Sequence, residues 1–127
     1  MKVYGIPNCD TVKRARTWLS DHKLEYAFHD FKKSGVPLDR LEVWCQVVGW
    51  ESLLNRQGQT WRKLTDSVRQ SITDESSARQ LMVAQPSVIR RPVIEWPSSG
   101  KNPGQISVGF SVSSAPFLDH SLESSTP

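Results

Sequence analysis

Cys9 stands where the pattern of the chain changes. Before it, Lys2-Val3-Tyr4-Gly5-Ile6 reads as a short buried strand, and after it a helical spacing begins. A thiol at a strand-to-helix turn lies near the positive end of the helix dipole, where unpaired backbone N–H groups solvate a thiolate. The turn also presents the sulfur to a substrate, and both effects favour nucleophilic chemistry. An ordinary thiol, with a pKa of about 8.5, is only about 3% ionised at pH 7, so such help matters. The neighbours Asn8 and Asp10 are polar, which suits a reactive site. The second cysteine, Cys45, lies in the apolar run Trp44-Cys45-Gln46-Val47-Val48 and reads as a small core residue. Position 12 is Val12, so Cys9 has no partner at C-x-x-C spacing. A lone nucleophilic thiol needs an external thiol to complete a redox cycle, and glutathione is the cytosolic candidate.

The elements that must position Cys9 follow from periodicity. Pro7-Asn8 form a turn, and Asp10 or Thr11 caps a helix running to about Asp21. Val12, Ala15, Trp18 and Leu19 give that helix one apolar face. Leu24 to His29 reads as a second strand, with His29 a strand or core residue. Strand, helix and strand in this order form a βαβ unit with parallel strands and a right-handed crossover. Residues 36 to 85 read as a helical subdomain. One helix begins at Pro37-Leu38, carries Leu41, Trp44, Cys45 and Val48 inward, and ends at Gly49. A short helix over residues 50–55 stops near Gly58, and Trp61-Arg62-Lys63-Leu64 forms a turn. Thr73-Asp74-Glu75 starts a further helix with Ala78, Leu81 and Met82 inward, ending before Pro86. Strand character returns at Val93 to Trp96, with a hairpin partner at Gln105 to Phe110 across a Pro/Gly-rich loop. Ser113 to Leu118 reads as a short closing helix, and residues 120–127 as a polar tail.

The totals bound the function classes. A chain of 127 residues with 37% hydrophobic and 23% charged residues suits one domain with one modest core. The core strands and first helix occupy about residues 1–33 and 86–119, around the helical subdomain. No apolar run reaches the roughly 18 residues of a membrane span. No signal-peptide pattern opens the chain, so a cytoplasmic location is expected. The net charge of +3 is modest, and no basic block with interleaved aromatics suggests nucleic acid. His22, His29, His120 and the two cysteines lack zinc spacing, so no metal is expected. No coiled-coil seam is visible, and a monomer is expected.

Three stretches, "YGIPNCDTVKRARTWL", "LLNRQGQTWRKL" and "PSVIRRPV", together resemble the arsenate-reductase-like (ArsC) family of the thioredoxin superfamily. The likeness is closest to the family's YffB branch, related to the regulator Spx, and runs from about residue 2 to about Phe117. It implies an α/β fold: a thioredoxin-like βαβ–ββα core with a mixed four-stranded sheet and a helical insertion. It also implies a cis peptide bond before Pro92. Arsenate reductases of this type use one cysteine at the first strand–helix junction, which Cys9 matches, and complete the reaction with glutathione and glutaredoxin. Of their three pocket arginines, Arg91 matches one. Asn55, next to Arg56, stands at the second position, and "SVGFS" near the last hairpin carries no arginine. For this branch the resemblance implies a glutathione-dependent thiol/disulfide reductase that passes through a protein–glutathione mixed disulfide at Cys9. Arg91 would orient the ligand and hold the thiolate. Asn8, Arg56, Lys63 and the backbone beside Pro92 would complete the glutathione site. Two alternatives stand beside it: an Spx-like, non-enzymatic module that binds RNA polymerase, and arsenate reduction itself.

Overall fold

The computed structural model describes residues 1–97 and 105–110. The proposed closing helix and the tail lie outside the described residues, as does most of the 97–104 loop. Strand β1 (Lys2–Gly5) leads into helix α1 (Asp10–Asp21), which returns to strand β2 (Ala27–Asp30). Helices follow at Phe31–Ser34 (α2), Leu38–Val48 (α3), Trp50–Leu53 (α4), Gln59–Lys63 (α5), Asp66–Ser71 (α6) and Glu75–Ala84 (α7). A 3₁₀ turn at Pro86–Val88 leads into strands β3 (Val93–Glu95) and β4 (Ile106–Val108). The sheet order is β2-β1-β3-β4. β1 and β2 are parallel, while β1–β3 and β3–β4 are antiparallel. This is the mixed four-stranded, thioredoxin-like arrangement that the resemblance implies, and the Arg91–Pro92 peptide bond is cis.

Period-two alternation divides the core between the two sheet faces. Val3 and Ile94 face one way and pack with Leu19 of α1. Tyr4 and Val93 face the other way, into a cluster with Leu41, Trp44, Leu53, Ala78 and Met82 from the helical insertion. The apolar stripe of α1 is as expected: Val12, Ala15 and Leu19 are buried, and Trp18 is half-buried. Its start differs. Cys9 itself occupies the N-cap position, with extended φ/ψ, and Asp10 is the first helical residue.

The second strand begins three residues later than the apolar pattern suggests. Lys23 adopts a left-handed φ of 58°. Its N–H donates to the Ser20 carbonyl, and the Leu24 N–H donates to that of Leu19 at 2.9 Å. This Schellman closure of α1 consumes the N–H groups that an earlier strand would need. Helix α6 has no counterpart in the sequence reading. It buries no residue, so no apolar stripe marks it, and Thr65 caps it by accepting from the Val68 N–H at 3.2 Å. Asp74 is the true cap of α7, in a capping box with Ser77.

Glu95, at the end of β3, ties the sheet to the insertion. Its carboxylate accepts from the Tyr4 hydroxyl at 2.8 Å, Arg40 Nε at 2.7 Å and Trp44 Nε1 at 2.9 Å. Burial pushes this carboxyl up. The bonds from Trp44, Tyr4 and Arg40, with the Arg40 charge, outweigh it and hold the group below the usual glutamate range. Burial and the nearby carboxylate together raise the Tyr4 hydroxyl, which stays a donor.

Two outcomes are expected. Glu95→Gln should lower the unfolding free energy at pH 7 by about 1–3 kcal/mol, read by urea titration. Because folding lowers this pKa, its support is complete above the ordinary glutamate value of about 4.3 and is lost as pH falls through the lower folded value. The variant should therefore show a shallower loss of stability in acid; an unchanged acid limb would exclude Glu95 as its source. At the other end of the sheet, a Cβ on Gly5 would sit 2.9 Å from Val12 Cγ2 of the buried α1 face. Gly5→Ala should cost about 1–3 kcal/mol, and Val12→Ala in the same chain should recover part of it.

Candidate active site

The close approach of Gly5 to Val12 sets α1 against the end of β1 and places Cys9 at the helix start. The Cys9 carbonyl accepts the first turn's bond from the Lys13 N–H at 2.9 Å. Its side chain makes no capping hydrogen bond as a thiol. The groups around it act on the charged form. Burial pushes the Cys9 thiol up, but the Val12 N–H, the Arg91 guanidinium and the Thr11 N–H together outweigh it and lower the pKa. Cys45 is the opposite case. It is buried on α3 among core residues, and burial, with Glu75, raises its thiol. Both cysteines are free.

Arg91 is fixed by the turn that precedes it. Its Nη1 donates to the Ser87 carbonyl at 2.6 Å and to the Ile89 carbonyl at 3.1 Å. Its Nε is buried and has no hydrogen-bond partner among the described residues.

A second segment comes to the same place by backbone pairing. Leu54 and Ile89 form an antiparallel bridge. The Asn55 N–H donates to the Val88 carbonyl at 2.8 Å, and the Arg90 N–H to the Leu53 carbonyl at 2.7 Å. Asn55 Oδ1 then accepts from the Gln57 N–H at 3.1 Å, turning the chain. A polar cavity of about 340 Å3 results, lined by Cys9, Thr11, Asn55, Gln57, Arg90, Arg91, Gly109 and Phe110. Among the described residues, two cations and no acidic residue line it. A larger groove of about 530 Å3 between α3 and α7 is lined by Leu38, Leu41, Arg79 and Val83 among others, and holds no thiol.

Of the residues singled out in the sequence, Cys9 and Arg91 meet in the cavity, with Asn55 at its wall. The cis Pro92 is buried directly after Arg91, and its carbonyl accepts from the Gly109 N–H at 2.9 Å. Asn8 is exposed in the turn and does not line the cavity. The structure does not bring Arg56 or Lys63 to it either. The Arg56 guanidinium lies over the Trp50 and Trp61 rings, 5.6 and 5.9 Å from their centres. Lys63 is exposed at the end of α5. Arg90, Gln57 and Gly109 were not among the sequence candidates. The doublet Arg90-Arg91 beside Pro92 was the available signal, and both of its residues line the cavity. Among the described residues, no three His, Cys, Asp or Glu side chains cluster as metal ligands, and no helix is long and apolar enough to cross a membrane.

A thioredoxin-like sheet, a lone cysteine capping the first helix and an arginine before a cis proline define a class that comparison makes explicit. The ArsC family model matches residues 4–114, and the chain belongs to that family. A solved protein named YffB is 44% identical, with a TM-score of 0.79 over 91% of this chain and 96% of that one. An arsenate reductase (ArsC) related protein from Brucella melitensis is also 44% identical, with a TM-score of 0.68 over 92% of each chain. The global transcriptional regulator Spx of Streptococcus agalactiae is 31% identical over 93 residues, 69% of this chain and 64% of Spx.

The lowered Cys9 thiol should show in its reactivity. Iodoacetamide labelling of Cys9, followed by mass spectrometry against pH, should inflect below the ordinary thiol value of about 8.5. Arg91→Ala should move that inflection upward. An inflection that stays in place would remove Arg91 as the thiolate's partner.

Proposed function

We propose that this protein is a glutathione-dependent thiol/disulfide reductase with Cys9 as its single nucleophile. The observation that carries this reading is the lowered thiol of Cys9 at the α1 N-cap, beside Arg91, in a cavity without a second cysteine. Family membership adds the setting, a thioredoxin-like scaffold built for sulfur chemistry. Two steps balance the reaction. The Cys9 thiolate attacks the glutathionyl sulfur of a mixed disulfide, the S–S bond breaks, and the substrate leaves as a thiolate that takes up a proton. A second glutathione thiolate then attacks the glutathionyl sulfur bound to Cys9. Oxidised glutathione departs and the Cys9 thiolate returns. Arg91 holds negative charge on Cys9 before attack and when it leaves in the second step.

Arsenate fits less well. A tetrahedral oxyanion needs several charge-assisted hydrogen bonds, and Arg91 already gives Nη1 to two backbone carbonyls. The relation to Spx favours a second reading, a non-enzymatic module that binds RNA polymerase. That protein is longer than the matched region, and the present chain lacks a C-x-x-C pair at Cys9.

The deciding assay is glutathione-dependent reduction of a small glutathione mixed disulfide. Wild type and Cys45→Ser should turn it over, while Cys9→Ser should fall at least about 100-fold, to the rate of glutathione alone. Wild type no faster than glutathione alone, together with polymerase binding that survives Cys9→Ser, would transfer the case to the binding module.

A further inference from the structure

Two adjacent arginines reach the cavity, and their surroundings differ. Arg91 is committed. Its Nη1 serves the Ser87 and Ile89 carbonyls, and it lines the cavity together with Cys9. Arg90 is uncommitted. Its backbone N–H is used in pairing with Leu53, but its exposed guanidinium has no hydrogen bond or acidic partner among the described residues. Its stem rests on Gly109, where a Cβ would lie 3.4 Å from Arg90 Cδ. That contact directs the side chain along the cavity wall while all five guanidinium N–H donors stay available. Asn55 and Gln57 line the same cavity and add neutral polar groups.

We propose that Arg90 determines specificity by taking a carboxylate of the incoming thiol or disulfide, so that the cavity selects acidic peptidyl thiols over neutral ones. The inference rests on the reductase reading for its biological meaning, but the contact itself is a matter of binding. Arg91 serves the reacting sulfur, and Arg90 serves the remote end of the ligand. A guanidinium matches a carboxylate in a planar, two-pronged contact that an ester cannot accept in full.

The test separates binding from turnover. S-Methylglutathione cannot react with Cys9, and its dialkyl ester keeps the shape without the carboxylate charges. Titrated into the full-length wild type by calorimetry, the acid should bind about five- to tenfold more tightly than the ester. Arg90→Gln should bring that ratio to about 1, chiefly by weakening the acid, while the pH profile of Cys9 alkylation keeps its inflection. Arg90→Lys should retain part of the preference, and the wild-type preference should shrink as salt is raised. Equal binding of acid and ester by wild type, no binding of either, or a ratio that persists in Arg90→Gln would each overturn the proposal. Failure of the reductase reading has a different signature: loss of turnover in the mixed-disulfide assay with the binding ratio and its dependence on Arg90 intact.

Discussion

One carboxylate ties the sheet to the helical insertion through side-chain hydrogen bonds. Glu95 ends β3 and accepts from Tyr4 in the neighbouring strand and from Arg40 and Trp44 in α3. A half-buried anion with this many donors is far from a surface ion pair, whose median worth is about 0–1 kcal/mol. Removing it would leave two aromatic donors and a guanidinium without their acceptor. The same short strand begins directly after Arg90-Arg91-Pro92, so whatever fixes β3 also fixes the segment that carries the cations of the site. The helical insertion thus helps to hold the chemistry in place as well as burying Tyr4 and Val93.

The site itself balances opposed terms. Burial pushes the Cys9 thiol pKa up. The N–H groups of the first helical turn and one guanidinium outweigh it and lower that pKa, while Cys45, buried without such help, is raised. Two cysteines of one chain therefore have thiol pKa values pushed in opposite directions, for reasons that are local and electrostatic.

Much of this was legible in the residues. The βαβ unit, the apolar stripes of α1, α3 and α7, the β3–β4 hairpin and the place of Cys9 all follow from periods of 2 and 3.6 and from turn chemistry. Helix α6 escaped because a short helix that buries nothing leaves no period to read. The wall of the cavity escaped for a different reason. Asn55 and Arg90 are brought together by a bridge between Leu54 and Ile89, and periodicity carries no information on pairing across 35 positions. The composition of "LLNRQG" pointed to its charge, Arg56, but that charge lies over two tryptophan rings and the amides line the cavity instead.

A cysteine without a neighbour of its own kind cannot store its own oxidation as a disulfide. Cys45 is shut in the core, so no internal disulfide is at hand as a resting oxidised form. Any disulfide at Cys9 must carry a second molecule, and the mass of that molecule can be read directly from the intact chain. The oxidised protein is therefore a record of which thiols surround it, one adduct at a time, where a paired-cysteine protein would record only that oxidation had occurred.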